Sequence, residues 1–220
     1  MMRKMLLGLG IFSISFMVCA EPPPTNLGLL KKQLNAYCTS GQYMQDIADA
    51  IQPAKLYLSE RIQSNHQNKK LAVVFDADET MISSVQAMQS NDFGEPAAYV
   101  MKILQGGKSS VIKPTLELYQ FAQKNHVATF IVTGRPETLR KITEQNLKND
   151  GYKNWAYLYM SPANPVTKPH SIVPYKTAMR KKITQAGYDI VLNIGDQYSD
   201  LLGGYADQDV KLPNPFYYLP

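Results

Sequence analysis

The sequence predicts an open α/β fold, a parallel central sheet covered by helices on both faces, and three observations carry that expectation. Leu71 to Phe75 (LAVVF), Val127 to Val132 (VATFIV) and Asp189 to Ile194 (DIVLNI) are short, nearly continuous apolar runs rich in strand formers. Strands buried on both faces read this way, whereas half-exposed antiparallel strands alternate. Helical stretches stand between them: Pro136 to Lys148, with Leu139, Ile142 and Leu147 on one side, and Tyr175 to Ala186, closed by Gly187. Finally, each apolar run ends at a polar cluster, and parallel sheets bind ligands beyond the carboxyl ends of their strands.

Taken in order, the chain begins with Arg3 and Lys4, an uncharged apolar run from Met5 to Val18, and small residues at Cys19 and Ala20 before Glu21-Pro22-Pro23-Pro24. That order of charge, apolar stretch and cleavage site is expected of a signal peptide over 1–20. Its 14 apolar or small residues fall short of the roughly 20 needed to span a bilayer. An uncleaved anchor and a lipoprotein attached through Cys19 are the weaker readings. Without Arg3 and Lys4, 21 basic residues face 18 acidic ones, a net charge of +3 against +5 for the whole sequence. The basic residues form scattered doublets and the triplet Arg180-Lys181-Lys182. These are expected on solvated helix faces, and no arginine-rich aromatic surface speaks for nucleic acid. If Cys19 leaves with the signal, Cys38 is unpaired and no internal disulfide supports the fold.

Glu21 to Asn26 is a proline-containing lead-in. The region 21–69 then predicts helices in two pieces, split near Thr39-Ser40-Gly41, with Ile47, Ile51, Leu56, Leu58 and Ile62 on the buried side of the second. The main domain spans 70–220. Within it an insertion over about 81–125 contains Ala97 to Leu104, which reads as a short helix, and Gly106-Gly107, which reads as a break. The aromatic stretch PNPFYYLP (Pro213 to Pro220) reads as strand edge and core packing.

Asp76 and Asp78 follow the first strand, Asp196 and Asp200 the third. Residues two apart on an extended segment point the same way, so the carboxyls can address one ligand. Four unpaired carboxylates in a cleft raise one another's pKa. A hard divalent cation resolves this, and an all-oxygen set without His or Cys suits Mg²⁺. Thr133 and Gly134 offer a hydroxyl and backbone amides to an anion, and Lys176 a point charge. The combination points to phosphoryl transfer through an aspartyl phosphate. No G-x-x-x-x-G-K-[ST] loop is present, which speaks against a P-loop nucleotide hydrolase.

DADET, IVTGR, the isolated Lys176 and GDQYSD, in this order and spacing, resemble the four motifs of the haloacid dehalogenase (HAD) superfamily of phosphohydrolases. NLKNDGYKNW, GDQYSDLLGG and KLPNPFYYLP are similar to stretches of its acid phosphatase subfamily, which includes plant vegetative storage proteins and bacterial secreted acid phosphatases. The resemblance implies a Rossmann-like three-layer sandwich in which the insertion forms a small helical cap. It implies Asp76 as nucleophile and Asp78 as the group that protonates the leaving alcohol and then deprotonates water. Asp76 and Asp196 would hold Mg²⁺ by side chains, Asp78 by its backbone carbonyl, and Asp200 directly or one layer out. Thr133, Gly134 and Lys176 would bind the phosphoryl group, and Thr80 would orient the first loop. Asp92, Phe93 and Tyr99 are candidates to face the leaving group, with cap packing as the competing reading. Glu79 reads as a local hydrogen-bonding residue, and Arg135 as a residue that caps or pairs within its helix, with a ligand role as the weaker reading. His66, His126 and His170 read as surface or loop positions. The expected function is that of a secreted or periplasmic Mg²⁺-dependent phosphomonoesterase acting on small phosphate monoesters, nucleoside monophosphates among them. A storage or binding protein on the same fold and a phosphotransferase are the alternatives.

Overall fold

Every residue from 71 to 75 is buried, because the strand they form has helices on both sides. The computed structural model describes residues 24–94, 102, 105–106, 109–162 and 171–219. The signal reading for 1–20, Tyr99, His170 and nearly all of the helix expected over 97–104 lie outside these.

Helices α1 (Leu27–Thr39) and α2 (Gln42–Gln63) precede β1 (Lys70–Phe75). A short hairpin of β2 (Ile82–Ser83) and β3 (Ser110–Val111) frames α3 (Val85–Ser90), and α4 (Lys113–Lys124) leads to β4 (Ala128–Pro136). Then come a 3₁₀ turn (Glu137–Leu139), α5 (Arg140–Asn149), β5 (Tyr157–Ser161), α6 (Val173–Gln185), β6 (Tyr188–Gly195), α7 (Tyr198–Leu201) and β7 (Gln208–Lys211). The five long strands form one parallel sheet in the order β5-β4-β1-β6-β7. From β1 the chain winds outward to β5, then returns to the other side of β1, so the crevice for a ligand opens between the ends of β1 and β6.

The period of two in β1 separates two cores. Leu71, Val73 and Phe75 pack with Ile47, Ile51 and Leu58 of α2 and with Leu118 and Tyr119 of α4. Ala72 and Val74 pack with Phe130, Val132 and Ile190 and with Ile183 of α6. Each such buried aliphatic or aromatic side chain contributes about 2 kcal/mol, and together they fix the strand that ends at Asp76.

The structure corrects several expectations. Lys113–Lys124 buries Thr115, Leu118, Tyr119 and Ala122 in the main core, so the insertion is narrowed to what lies between β2 and β3. Its base is fastened by Tyr152, whose hydroxyl donates to the Met81 carbonyl at 2.8 Å. Leu56 is 58% exposed: it sits five residues after Ile51, off the stripe Tyr43, Ile47, Ile51, Ala54, Leu58 that α2 buries. Pro136 ends β4 in extended geometry and α5 starts only at Arg140. Gly106, read as a break, is helical. Residues 213–219 form no strand; they fold back toward the end of β6. Among the described residues no helix is long and apolar enough to cross a membrane.

Candidate active site

The parallel ladder continues one residue past β1, where the Asp76 amide donates to the Ile194 carbonyl at 2.9 Å. The chain then turns around the Ala77 carbonyl, which accepts from the amides of Met81 and Ile82 at 2.9 and 3.1 Å. Glu79 sits in this turn with φ +52°, a left-handed conformation that costs a non-glycine residue about 1 kcal/mol. Its buried carboxylate offsets the cost by accepting from the Ser83 hydroxyl, the Ser84 amide and hydroxyl, and the Tyr43 hydroxyl. Burial pushes Glu79 up to about 7, against the pull of the two serines.

The end of β4 supplies Thr133 and Arg135. Pairing with β5 slips between Thr133 and Pro136, and such an irregularity re-aims side chains. Thr133 is fully buried and accepts from the Arg135 amide at 3.1 Å. The Arg135 guanidinium, also buried, grips Asp78 with two nitrogens at 2.8 and 2.6 Å and donates to Thr143 at 3.2 Å.

Lys176 lies in the first turn of α6, which faces β6 from the side opposite α2. Its buried ammonium donates to Asp76 Oδ1 at 2.6 Å and to Asp200 Oδ1. Asp196 and Asp200 follow β6. The Asp200 carboxylate accepts from the Gln197 amide at 2.8 Å and so caps α7. Gly195 makes room for it, since a Cβ there would stand 2.3 Å from Asp200 Cβ. Thr80 donates to Asp196 Oδ1 at 3.1 Å. Arg180 is buried and donates to the carbonyls of Asp200, Leu202 and Gly204, holding the turn beyond α7.

Asp76, Asp196 and Asp200 thus bring carboxylate oxygens within 4.8 Å of one another, all buried. Burial pushes Asp76 well above the ordinary carboxylate range; Lys176 opposes this, and Asp200, Asp196 and Asp78 add to it. Burial and then Asp200 push Asp196 up to about 6. Lys176 moves the other way from most buried lysines: desolvation alone would lower it, but Asp200 and Asp76 hold its proton more firmly than water does. One ammonium facing three buried acids leaves negative charge in excess. An all-oxygen donor set of this kind fits a hard divalent cation, and such an ion would remove the repulsion that raises Asp76 and Asp196.

The family model for the HAD superfamily, subfamily IIIB (acid phosphatase), matches residues 25–220. The chain belongs to this family. Vegetative storage protein 1 of Arabidopsis thaliana is 31% identical over 187 residues, covering 83% of this chain and 67% of the relative. Acid phosphatase 1 of Solanum lycopersicum is 33% identical over 150 residues, 66% of this chain and 58% of the tomato protein. In fold, the class C acid phosphatase from Bacillus anthracis superposes with a TM-score of 0.70 over 87% of this chain and 86% of the other, at 16% identity.

Within this subfamily IIIB acid phosphatase, Asp76, Lys176, Asp196 and Asp200 are in direct contact or within a few ångströms of one another. Thr80 joins them through Asp196, and the Asp78 carboxylate is held by Arg135. Thr133 and the half-buried Gly134 lie at the end of the neighbouring strand β4. Asp92 pairs with Lys31 of α1 at 2.6 Å and is exposed. The Phe93 ring lies flat on Phe216 at 5.9 Å. His66 and His126 are exposed turn residues.

Sequence reasoning missed five contributors. Arg135 pairs with Asp78 rather than within its own helix. Arg180, expected on a solvated face, is fully buried, while Lys181 and Lys182 are exposed as expected. Gln197 and Asn214 both donate to Asp196. Tyr217 belongs to the segment read as strand edge, yet its hydroxyl is pushed upward first by burial and then by Asp196, Glu79, Asp78 and Asp76 around it. Only the juxtaposition of Asn with two prolines after β7 hinted at a built turn there.

Proposed function

We propose that the chain is an exported Mg²⁺-dependent phosphomonoesterase that works through an aspartyl phosphate on Asp76, with small phosphate monoesters, nucleoside monophosphates included, as substrates. The observation that carries this reading is the buried contact of Lys176 with Asp76 at 2.6 Å, inside a cluster of three acids. Mg²⁺ would be held by the side chains of Asp76 and Asp196, the backbone carbonyl of Asp78 and, directly or through water, Asp200. Once bound, it would offset charge on the transferring phosphoryl group.

Among the described residues Asp76 is engaged only at Oδ1, by Lys176, which leaves Oδ2 to attack phosphorus. The phosphorus–oxygen bond to the alcohol breaks as the Oδ2–phosphorus bond forms, and Asp78 gives its proton to the departing oxygen. Asp78 then takes a proton from water, whose oxygen attacks the same phosphorus and frees phosphate and Asp76. Thr133, Gly134 and Lys176 hold the equatorial oxygens, so catalysis is positioning and charge neutralisation. Arg135 fixes the direction of the Asp78 carboxyl. Export rests on the signal-like residues 1–20.

Release of p-nitrophenol from its phosphate ester tests the reading. Turnover is expected with Mg²⁺, lost with EDTA, and lowered at least about a thousandfold in Asp76→Asn. Undiminished turnover in that variant would sink the mechanism. The plant relatives named as storage proteins keep a second reading open. A folded protein that binds Mg²⁺ and turns over no ester would favour it, and product analysis with added alcohol separates hydrolysis from phosphotransfer.

A further inference from the structure

Asp196 differs from its two acidic neighbours in what holds it. Asp76 and Asp200 are tied to the Lys176 ammonium. Among the described residues Asp196 is tied only to neutral donors: Gln197 Nε2 at 2.7 Å and Asn214 Nδ2 at 2.6 Å, both on Oδ2, and Thr80 Oγ1 at 3.1 Å on Oδ1. A carboxylate oxygen offers about two lone-pair directions. Two amides therefore fill Oδ2, and Oδ1 keeps the direction that Thr80 does not use. Neutral donors orient the group without cancelling its charge, so Asp196 is the member of the trio whose negative charge is left for a cation.

Asn214 reaches Asp196 from the segment that follows β7, and its amide cannot be flipped. Its Oδ1 accepts from the backbone amides of Phe216 at 2.9 Å and Tyr217 at 3.4 Å, which forces Nδ2 toward Asp196. The segment is clamped beyond this turn. Gln197 Oε1 accepts from the Leu219 amide at 3.1 Å, and the Ser199 hydroxyl donates to the Leu219 carbonyl at 3.0 Å. The Phe216 ring stacks on Phe93 and meets Tyr43 edge-on at 5.1 Å. A strap built from residues 213–219 thereby connects α2 and the base of the insertion to one oxygen of one acid.

We propose that Asn214, together with Gln197, is a positioning residue for the divalent cation: their two amides fill Oδ2 of Asp196 and leave Oδ1 for the ion. This rests on the metal reading above. Groups that orient a metal's carboxylate ligands typically change affinity by about 10–100-fold when removed.

The test is calorimetric titration of the full chain with Mg²⁺, beside thermal melting without the ion, for wild type, Asn214→Ala and Gln197→Met. The proposal expects the Mg²⁺ dissociation constant to rise about tenfold or more in each variant, with the ion-free melting point little changed. A lowered melting point with Mg²⁺ affinity within twofold of wild type would mark a packing role alone and overturn it. Should Asn214→Ala not fold, Gln197→Met removes the other donor to the same oxygen and decides by the same readings. A wild-type chain that binds no Mg²⁺ overturns the metal reading and this proposal with it. Tight wild-type binding that both variants share overturns this proposal alone.

Discussion

Asp78 is gripped by two nitrogens of one buried guanidinium, a planar fork that a lysine cannot reproduce. Arg135→Lys keeps the charge and loses the fork. We expect kcat to fall about 100-fold, within what general acid–base catalysis contributes, while KM moves little; steady-state kinetics on p-nitrophenyl phosphate and on an alkyl ester check this. An unchanged kcat on the alkyl ester would deny Arg135 its positioning role. At this scale the sequence pointed to the acids, because charged residues placed soon after buried strands have few structural uses, and to Thr133 and Lys176 through the order of the motifs. It did not show the partners of Asp78 and Asp196. Arg135 lies 57 positions from Asp78 and Asn214 lies 18 from Asp196, and only a ladder slip and a chain reversal bring them together.

The turn from β6 into α7 is the element on which the carboxylate cluster depends. The Cβ of an alanine at 195 would meet Asp200 Cβ at 2.3 Å, an atom fixed to the main chain and unable to swing aside. Gly195→Ala should therefore displace α7 and cost about 2 kcal/mol or more, read as a lower urea midpoint, with weaker Mg²⁺ binding alongside. A variant as stable as wild type would mean that the turn is looser than its contacts imply. The strands that the sequence revealed, β1, β4 and β6, are those buried on both faces. The edges β5 and β7 escaped notice, since Tyr157 is 52% exposed and β7 is exposed at Gln208 and Asp209. β2 and β3, two residues each, are too short for periodicity to register. Helix α2 was legible as a stripe, with Leu56 the one apolar residue that periodicity assigned to the wrong face.

Across the whole molecule, folding concentrates negative charge in a dry crevice. Asp196, raised to about 6 from an ordinary value of 3.8, binds its proton more tightly folded than unfolded. In the ion-free protein this favours the fold at low pH, and the advantage is lost as pH rises through about 6. A cation that replaces the proton reverses the trend. The melting-point gain on adding Mg²⁺ should therefore be larger at pH 7 than at pH 5; an equal gain at both would place the ion elsewhere. The parallel topology and the meeting of three distant polar clusters were legible because winding order follows from alternating strand and helix. The return of residues 213–219 to the site was not, since a proline-flanked aromatic stretch packs equally well at a sheet edge.

The most direct measurement uses Asp78→Asn with p-nitrophenyl phosphate, acid-quenched and analysed by peptide mass. Nitrophenolate departs without needing a proton, while water attack still requires Asp78 as base, so the covalent intermediate should accumulate. The account predicts a phosphoryl group on Asp76 in the peptide that carries β1 and its loop. Turnover that leaves Asp76 unmodified, or a phosphoryl group on another residue, would contradict it.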